Sequence, residues 1–177
     1  MLTRLSSSWT LAKAVTGAPS RRLHLGGFPL IELQNTVTAT GQQIAYTPVD
    51  NSKGFWMFDS STYSINGQSF PQSGNKAIAD TGTTLMLCSD TFVDAVYQAI
   101  PGATYDSQNQ GYIFPANTTA DQLPVVTVAV GDNQYTIQKE DLSFADAGNG
   151  MVYGGIQSRG TMTFDIGNRA CVHACGG

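Results

Sequence analysis

No stretch of this sequence approaches the roughly 18 continuous apolar residues that a membrane-spanning helix needs, so no membrane span is expected. Charge is also scarce: charged residues make up 12% of the chain against 41% hydrophobic, the balance of a folding chain rather than a disordered one. Acid is absent before Glu32, where Arg4, Lys13, Arg21 and Arg22 carry the only charge. From Glu32 onward 13 acids stand against five bases, a net of −8. That acidic body lacks the positive face on which nucleic-acid binding depends, and it suits work at low pH. Histidine occurs twice, at His24 and His173, both in terminal segments, so neither a Ser-His-Asp nor a Cys-His arrangement has a well-placed base. The cysteines number three, Cys88, Cys171 and Cys175, and cannot all pair with one another. Cys171-x-His173-x-Cys175 is too short a span to wrap a tetrahedral ion and has no second ligand pair, so no metal or other cofactor is expected. Cys88 follows an apolar run and is expected to be a buried small hydrophobe rather than a reactive thiol.

What is present points to β-structure. The length of 177 residues fits one domain, and 19 glycines with abundant Thr, Val, Tyr and Ser favour short strands and tight turns. Thr62-Tyr63-Ser64-Ile65, Asn66-Gly67 and Gln68-Ser69-Phe70 spell a hairpin, because Asn-Gly accepts positive φ at both turn positions. A second hairpin is expected from Val125–Val130 through Gly131-Asp132-Asn133 to Gln134–Ile137. Further short strands are expected at Gln43 to Val49, Phe55 to Phe58, Gly111 to Phe114 and Thr161 to Ile166. One short helix follows Ser89, which can cap it. Asp90 favours its N-terminal dipole, Phe92, Val93, Val96 and Ile100 share a face, and Pro101-Gly102 stops it. The first 30 residues are basic, Ser-rich and acid-free. They lack a 7–15-residue apolar core, so they match a transit peptide better than a secretory signal, and a non-native start best of all.

The chemistry-bearing segment lies between a strand-like run and that helix. Lys76-Ala77-Ile78-Ala79 leads into Asp80-Thr81-Gly82-Thr83-Thr84, and Leu85-Met86-Leu87-Cys88 leads away. One acid between two apolar runs is costly unless hydrogen-bonded. Gly82 lets backbone N–H groups turn toward the carboxylate, and Thr81, Thr83 and Thr84 add hydroxyls. Asp-Thr-Gly is also ordinary surface-turn chemistry, but a surface turn rarely sits between Ala-Ile-Ala and Leu-Met-Leu.

These residues carry a resemblance. Ile44-Ala45-Tyr46-Thr47-Pro48-Val49, Gly54-Phe55-Trp56, Tyr63-Ser64-Ile65 with Gly67-Gln68, Ile78 to Leu85, Gly111 to Pro115 and Tyr153-Gly154-Gly155-Ile156-Gln157-Ser158 occur in an order similar to the C-terminal lobe of fungal pepsin-like aspartic endopeptidases. The resemblance spans residues 41–166. It leaves 1–40 as an atypical, partly disordered basic segment and 167–177 as a non-family tail. It implies an all-β fold, a single pepsin-like lobe with one short helix. Peptide-bond hydrolysis would run through an aspartate dyad of which this chain supplies Asp80. By the same resemblance Thr83 would bond the outer carboxylate oxygen, Thr81 would hold the lobes together, and Gly82 would bring its amide to the acid.

The departures from that family are severe. No second Asp-Thr-Gly or Asp-Ser-Gly occurs, no flap tyrosine is present, and after Ile166 the expected hydrophobic-Gly-Asp segment and closing strands give way to the tail. The disulfide that relatives carry in this lobe is replaced by Ala116 and Val152. Asn117-Thr118-Thr119 is a glycosylation sequon, usable on a secretory route. An extracellular, secretory or vacuolar location follows from the resemblance, although a clear signal peptide is lacking. The expected partners are a polypeptide substrate or a complementary lobe. The expected state is an incomplete, inactive lobe. The alternatives are a homodimer that rebuilds the dyad in the retroviral manner, or a non-catalytic peptide-binding module.

Overall fold

Turn chemistry sets the framework of the fold. Asn66 and Gly67 adopt φ of 50° and 83°, the two positive values that match the right-handed twist of paired strands. They join β2 (Thr62–Ile65) to β3 (Gln68–Pro71) with Ile65 opposite Gln68. The second expected hairpin also forms, as β8 (Val126–Val130) and β9 (Asn133–Thr136), with Gly131 at φ 58°. β2 pairs with β8, so the two hairpins make one four-stranded sheet in the order β3-β2-β8-β9. Within it the Ser64 and Thr127 hydroxyls lie 2.6 Å apart across the strands.

The structure, a computed structural model, describes residues 47–80, 84–160 and 170–174, and of residues 79, 80 and 170–174 the backbone. The segment 1–40 and the strand expected at Thr161 to Ile166 lie outside these residues, as does most of the strand expected at Gln43 to Val49. Thirteen strands and one α-helix occur among the described residues, so the fold is all-β as expected. A second four-stranded sheet runs β10 (Ser143–Gly148), β11 (Met151–Gly154), β7 (Gly111–Pro115), β6 (Thr104–Asp106). The third sheet has five strands, in the order β1 (Met57–Asp59), β4 (Lys76–Asp80), β13 (Ala170–Ala174), β5 (Met86–Cys88), β12 (Ile156–Ser158).

Two expectations need correction. The strand expected at Phe55 to Phe58 starts two residues later, because a turn closed by the Gly54 N–H on the Asn51 carbonyl (3.0 Å) occupies its approach. Within the segment 167–177, Ala170–Ala174 form β13, the central strand of its sheet. Cys88 is fully buried as expected, but it is disulfide-bonded rather than a free small hydrophobe.

Helix α1 (Asp90–Gln98) covers the core. Ser89 occupies the N-cap position with extended backbone, but its side chain makes no capping bond. Its carbonyl instead accepts from Phe92 and Val93, both at 3.0 Å, while Asp90 accepts a short bond from the Ser158 hydroxyl of β12. Phe92, Val93, Val96 and Tyr97 face inward, and Ile100, just beyond the helix, is buried with them. Phe92 meets Tyr63 edge-on at 4.5 Å, and Tyr63 stacks on Phe70 at 5.0 Å, which joins helix to hairpin. Burying a side chain such as Phe92 contributes about 1.5–3 kcal/mol. The chain turns away at Gly102, whose φ of 74° a β-carbon would disfavour.

Candidate active site

Asp80 is the last residue of β4. Earlier in the strand, Ala77 and Ile78 are buried at 0% and 3% exposure, and Ile78 stands opposite Met57 of β1. An apolar strand thus carries the acid from the core to one end of the sheet. On its other side β4 runs parallel to β13, with Ala174 in register with Asp80. The chain then reverses, and β5 returns antiparallel to β13, with Leu87 opposite Val172. β13 therefore lies between the two strands that the Asp80 loop connects. Thr84 is exposed and Leu85 half-buried at the end of that loop. Thr81, Gly82 and Thr83, the residues expected to support the carboxylate, lie outside the described residues.

A floor beside β5 is built from Tyr153-Gly154-Gly155-Ile156-Gln157-Ser158, whose part the sequence alone does not reveal. The Gly155 carbonyl accepts the Met86 N–H at 2.9 Å, and β12 continues parallel to β5 with Ile156 in register with Met86. Gly155 donates its own N–H to Leu142 at 2.9 Å. A β-carbon on Gly155 would overlap the Asp141 carbonyl oxygen, and one on Gly154 would overlap the Tyr97 hydroxyl. That hydroxyl donates to the Ile156 carbonyl at 2.6 Å. Gln157 is buried at 4% exposure with its amide well satisfied. Its Nε2 donates to the carbonyls of Tyr112 and Gly154, each at 2.9 Å, and its Oε1 accepts the Tyr112 N–H at 2.8 Å. One side chain thereby ties β7 to β12, the strand beside β5. The sequence signal for Tyr97 is its place four residues after Val93, on the buried helix face.

The tyrosines around this floor form a contiguous set. Tyr97 and Tyr112 stack at 4.5 Å with a 5° interplanar angle, and Tyr112 donates its hydroxyl to Asp94 at 2.6 Å. That hydrogen bond, then burial, pushes Tyr112 up to about 12, while burial raises Tyr97 further and also raises Tyr63 and Tyr153. An unfolded tyrosine ionises near 10. A raised folded value means that this stabilisation is complete below pH 10 and is lost as pH climbs from about 10 toward 12 and beyond. The urea midpoint should therefore fall between pH 9 and pH 11.5, and Tyr112→Phe should make the fall shallower. An unchanged pH dependence in that variant would contradict the assignment.

Burial, and then the charge of Glu140, holds the Asp141 carboxyl above the usual carboxylate range. Its contribution has the sign of a group favoured when protonated: fully present at strongly acid pH and lost as pH rises through its folded value.

A polar cavity of about 430 Å³, lined in part by Asp59, Asn75 and Asp132, lies beside the start of β4. It stands at the opposite end of that strand from Asp80 and takes no part in this site. Among the described residues no helix is long and apolar enough to cross a membrane. Asn117 is exposed in the turn after β7, accessible as a sequon requires.

Residues 34–169 match the family described as eukaryotic aspartyl protease. Among curated relatives, the chain is 49% identical over 123 residues to aspergillopepsin-1 of Aspergillus pseudoglaucus and 49% to that of Aspergillus oryzae, covering 70% of this chain and 30% of each relative. It is 45% identical over 123 residues to penicillopepsin-1 of Talaromyces stipitatus, with the same shares covered. The chain thus spans about a third of the length of the curated relatives it matches.

Proposed function

This chain belongs to the eukaryotic aspartyl protease family, and we propose that it supplies one lobe of an acid endopeptidase, with Asp80 as one of the two aspartates that hydrolyse a peptide bond. The observation that carries this reading is the place of Asp80: the end of a buried strand, at the opening of a strand–loop–strand unit inside the matched family region. Two opposed carboxylates cannot both ionise freely, so they hold one proton between them, pepsin being the type case. The ionised member activates water and the protonated one donates to the peptide carbonyl. An isolated Asp80 would have no acid partner. On this reading the second aspartate comes from a complementary lobe, the substrate is a polypeptide, and the chain alone is inactive. A secretory or vacuolar route is the proposed setting, supported by the oxidised Cys88 and the accessible Asn117, since disulfides persist in oxidising compartments.

Complementation tests the proposal. The remaining two-thirds of the Aspergillus oryzae relative, produced separately and refolded together with this chain, should yield cleavage of a denatured protein at pH 3–5. Neither part should do so alone. Cleavage by this chain alone that sediments as a dimer would favour the homodimer instead.

A further inference from the structure

We infer that the disulfide partner of Cys88 is Cys171, and that this crosslink latches β13 into the slot beside the strand bearing Asp80. Cys88 is disulfide-bonded and its side chain is fully buried, at the end of β5. The sequence offers two partners, Cys171 and Cys175. The backbone register discriminates between them. Val172 of β13 stands opposite Leu87 of β5 in an antiparallel pair, so the adjacent positions, Cys171 and Cys88, also face each other. Directly opposed residues of antiparallel strands have Cα atoms about 4.5–5.5 Å apart, inside the span of about 4.4–6.8 Å that a disulfide bridges. Cys175 follows the end of β13, four residues further on.

The location gives the crosslink its consequence. β13 pairs with β4 on one side, with Ala174 in register with Asp80, and with β5 on the other. A bond from β13 to β5 thus fixes the strand that separates the two arms of the Asp80 loop. It lies in a different sheet from the β7–β11 pair, at which the resemblance places the lobe's usual disulfide through the positions of Ala116 and Val152. The bond forms by thiol–disulfide exchange: the two thiols lose two protons and two electrons to an external disulfide, which leaves as two thiols. A dithiol such as dithiothreitol reverses the step, becoming a cyclic disulfide as Cys88 and Cys171 regain their protons.

Peptide mapping of the intact chain, alkylated in acid without reduction, tests the pairing. Trypsin leaves Cys171 and Cys175 in one peptide, so fragmentation of that peptide while linked must locate the bond. The expected result is a bond at Cys171 with Cys175 alkylated. A bond at Cys175, a bond between two copies, or an alkylated Cys88 overturns the inference. Reduction of the wild-type chain should raise amide exchange across residues 76–80 and 86–88 and lower Tm by about 10 °C, as expected for opening a long closed loop. Cys175→Ser should behave as wild type. Unchanged exchange at β4 on reduction would overturn the latch even with the pairing in place.

Discussion

Asp80→Asn is expected to lower acid-pH peptide hydrolysis by roughly a hundred- to ten-thousand-fold in the assembly of this chain with a complementary lobe, the range that positioned acid–base groups contribute. Asparagine keeps the size of the side chain, but it can neither ionise to activate water nor share a proton with the opposing carboxylate. Binding is a separate matter. The substitution changes no other residue, so KM should change little while kcat falls. Initial rates on a denatured protein between pH 3 and pH 5 give both constants. A loss confined to KM would place Asp80 in substrate binding rather than in the dyad.

Gly155→Ala should produce the largest loss of stability of any single methyl added to the floor, about 3 kcal/mol and about 10 °C in Tm. The added β-carbon would overlap the Asp141 carbonyl oxygen, a backbone atom that cannot rotate aside. Relief would require shifting the segment 139–142 away from β12. That shift would strain the bond from Gly155 to Leu142 and, through the Gly155 carbonyl, the anchor of Met86 at the start of β5. Thermal unfolding by circular dichroism measures the effect. A change within about 0.5 kcal/mol, ordinary for a surface site, would contradict the packing described for the floor.

These cases show which parts of the structure the sequence makes legible. The β2–β3 hairpin can be read because Asn66-Gly67 decides its geometry within two residues. Helix α1 can be read because its apolar spacing and its stop are both local. The strand β10, Ser-Phe-Ala-Asp-Ala-Gly, cannot: its composition is poor for a strand, and it is extended because β11 pairs with it. β13 is invisible for the same reason in stronger form, since its place rests on contacts with strands about 85 to 95 residues earlier. Asp80 stands out because its flanks are apolar. Gln157 does not, because a polar residue after Ile156 looks like a strand end until Tyr112 is brought beside it. Ser89 shows the converse: a residue type favoured at helix starts takes the position without making the bond.

The central claim is that this chain carries half of a catalytic pair and that the half is Asp80. Assaying the purified chain by itself against a denatured protein at pH 3–5, across a range of concentrations and beside Asp80→Asn, tests that claim most directly. The account predicts no cleavage above background, with wild type and variant indistinguishable at every concentration. Cleavage by the wild-type chain that Asp80→Asn abolishes would contradict it, since one lobe would then be assembling a complete active site.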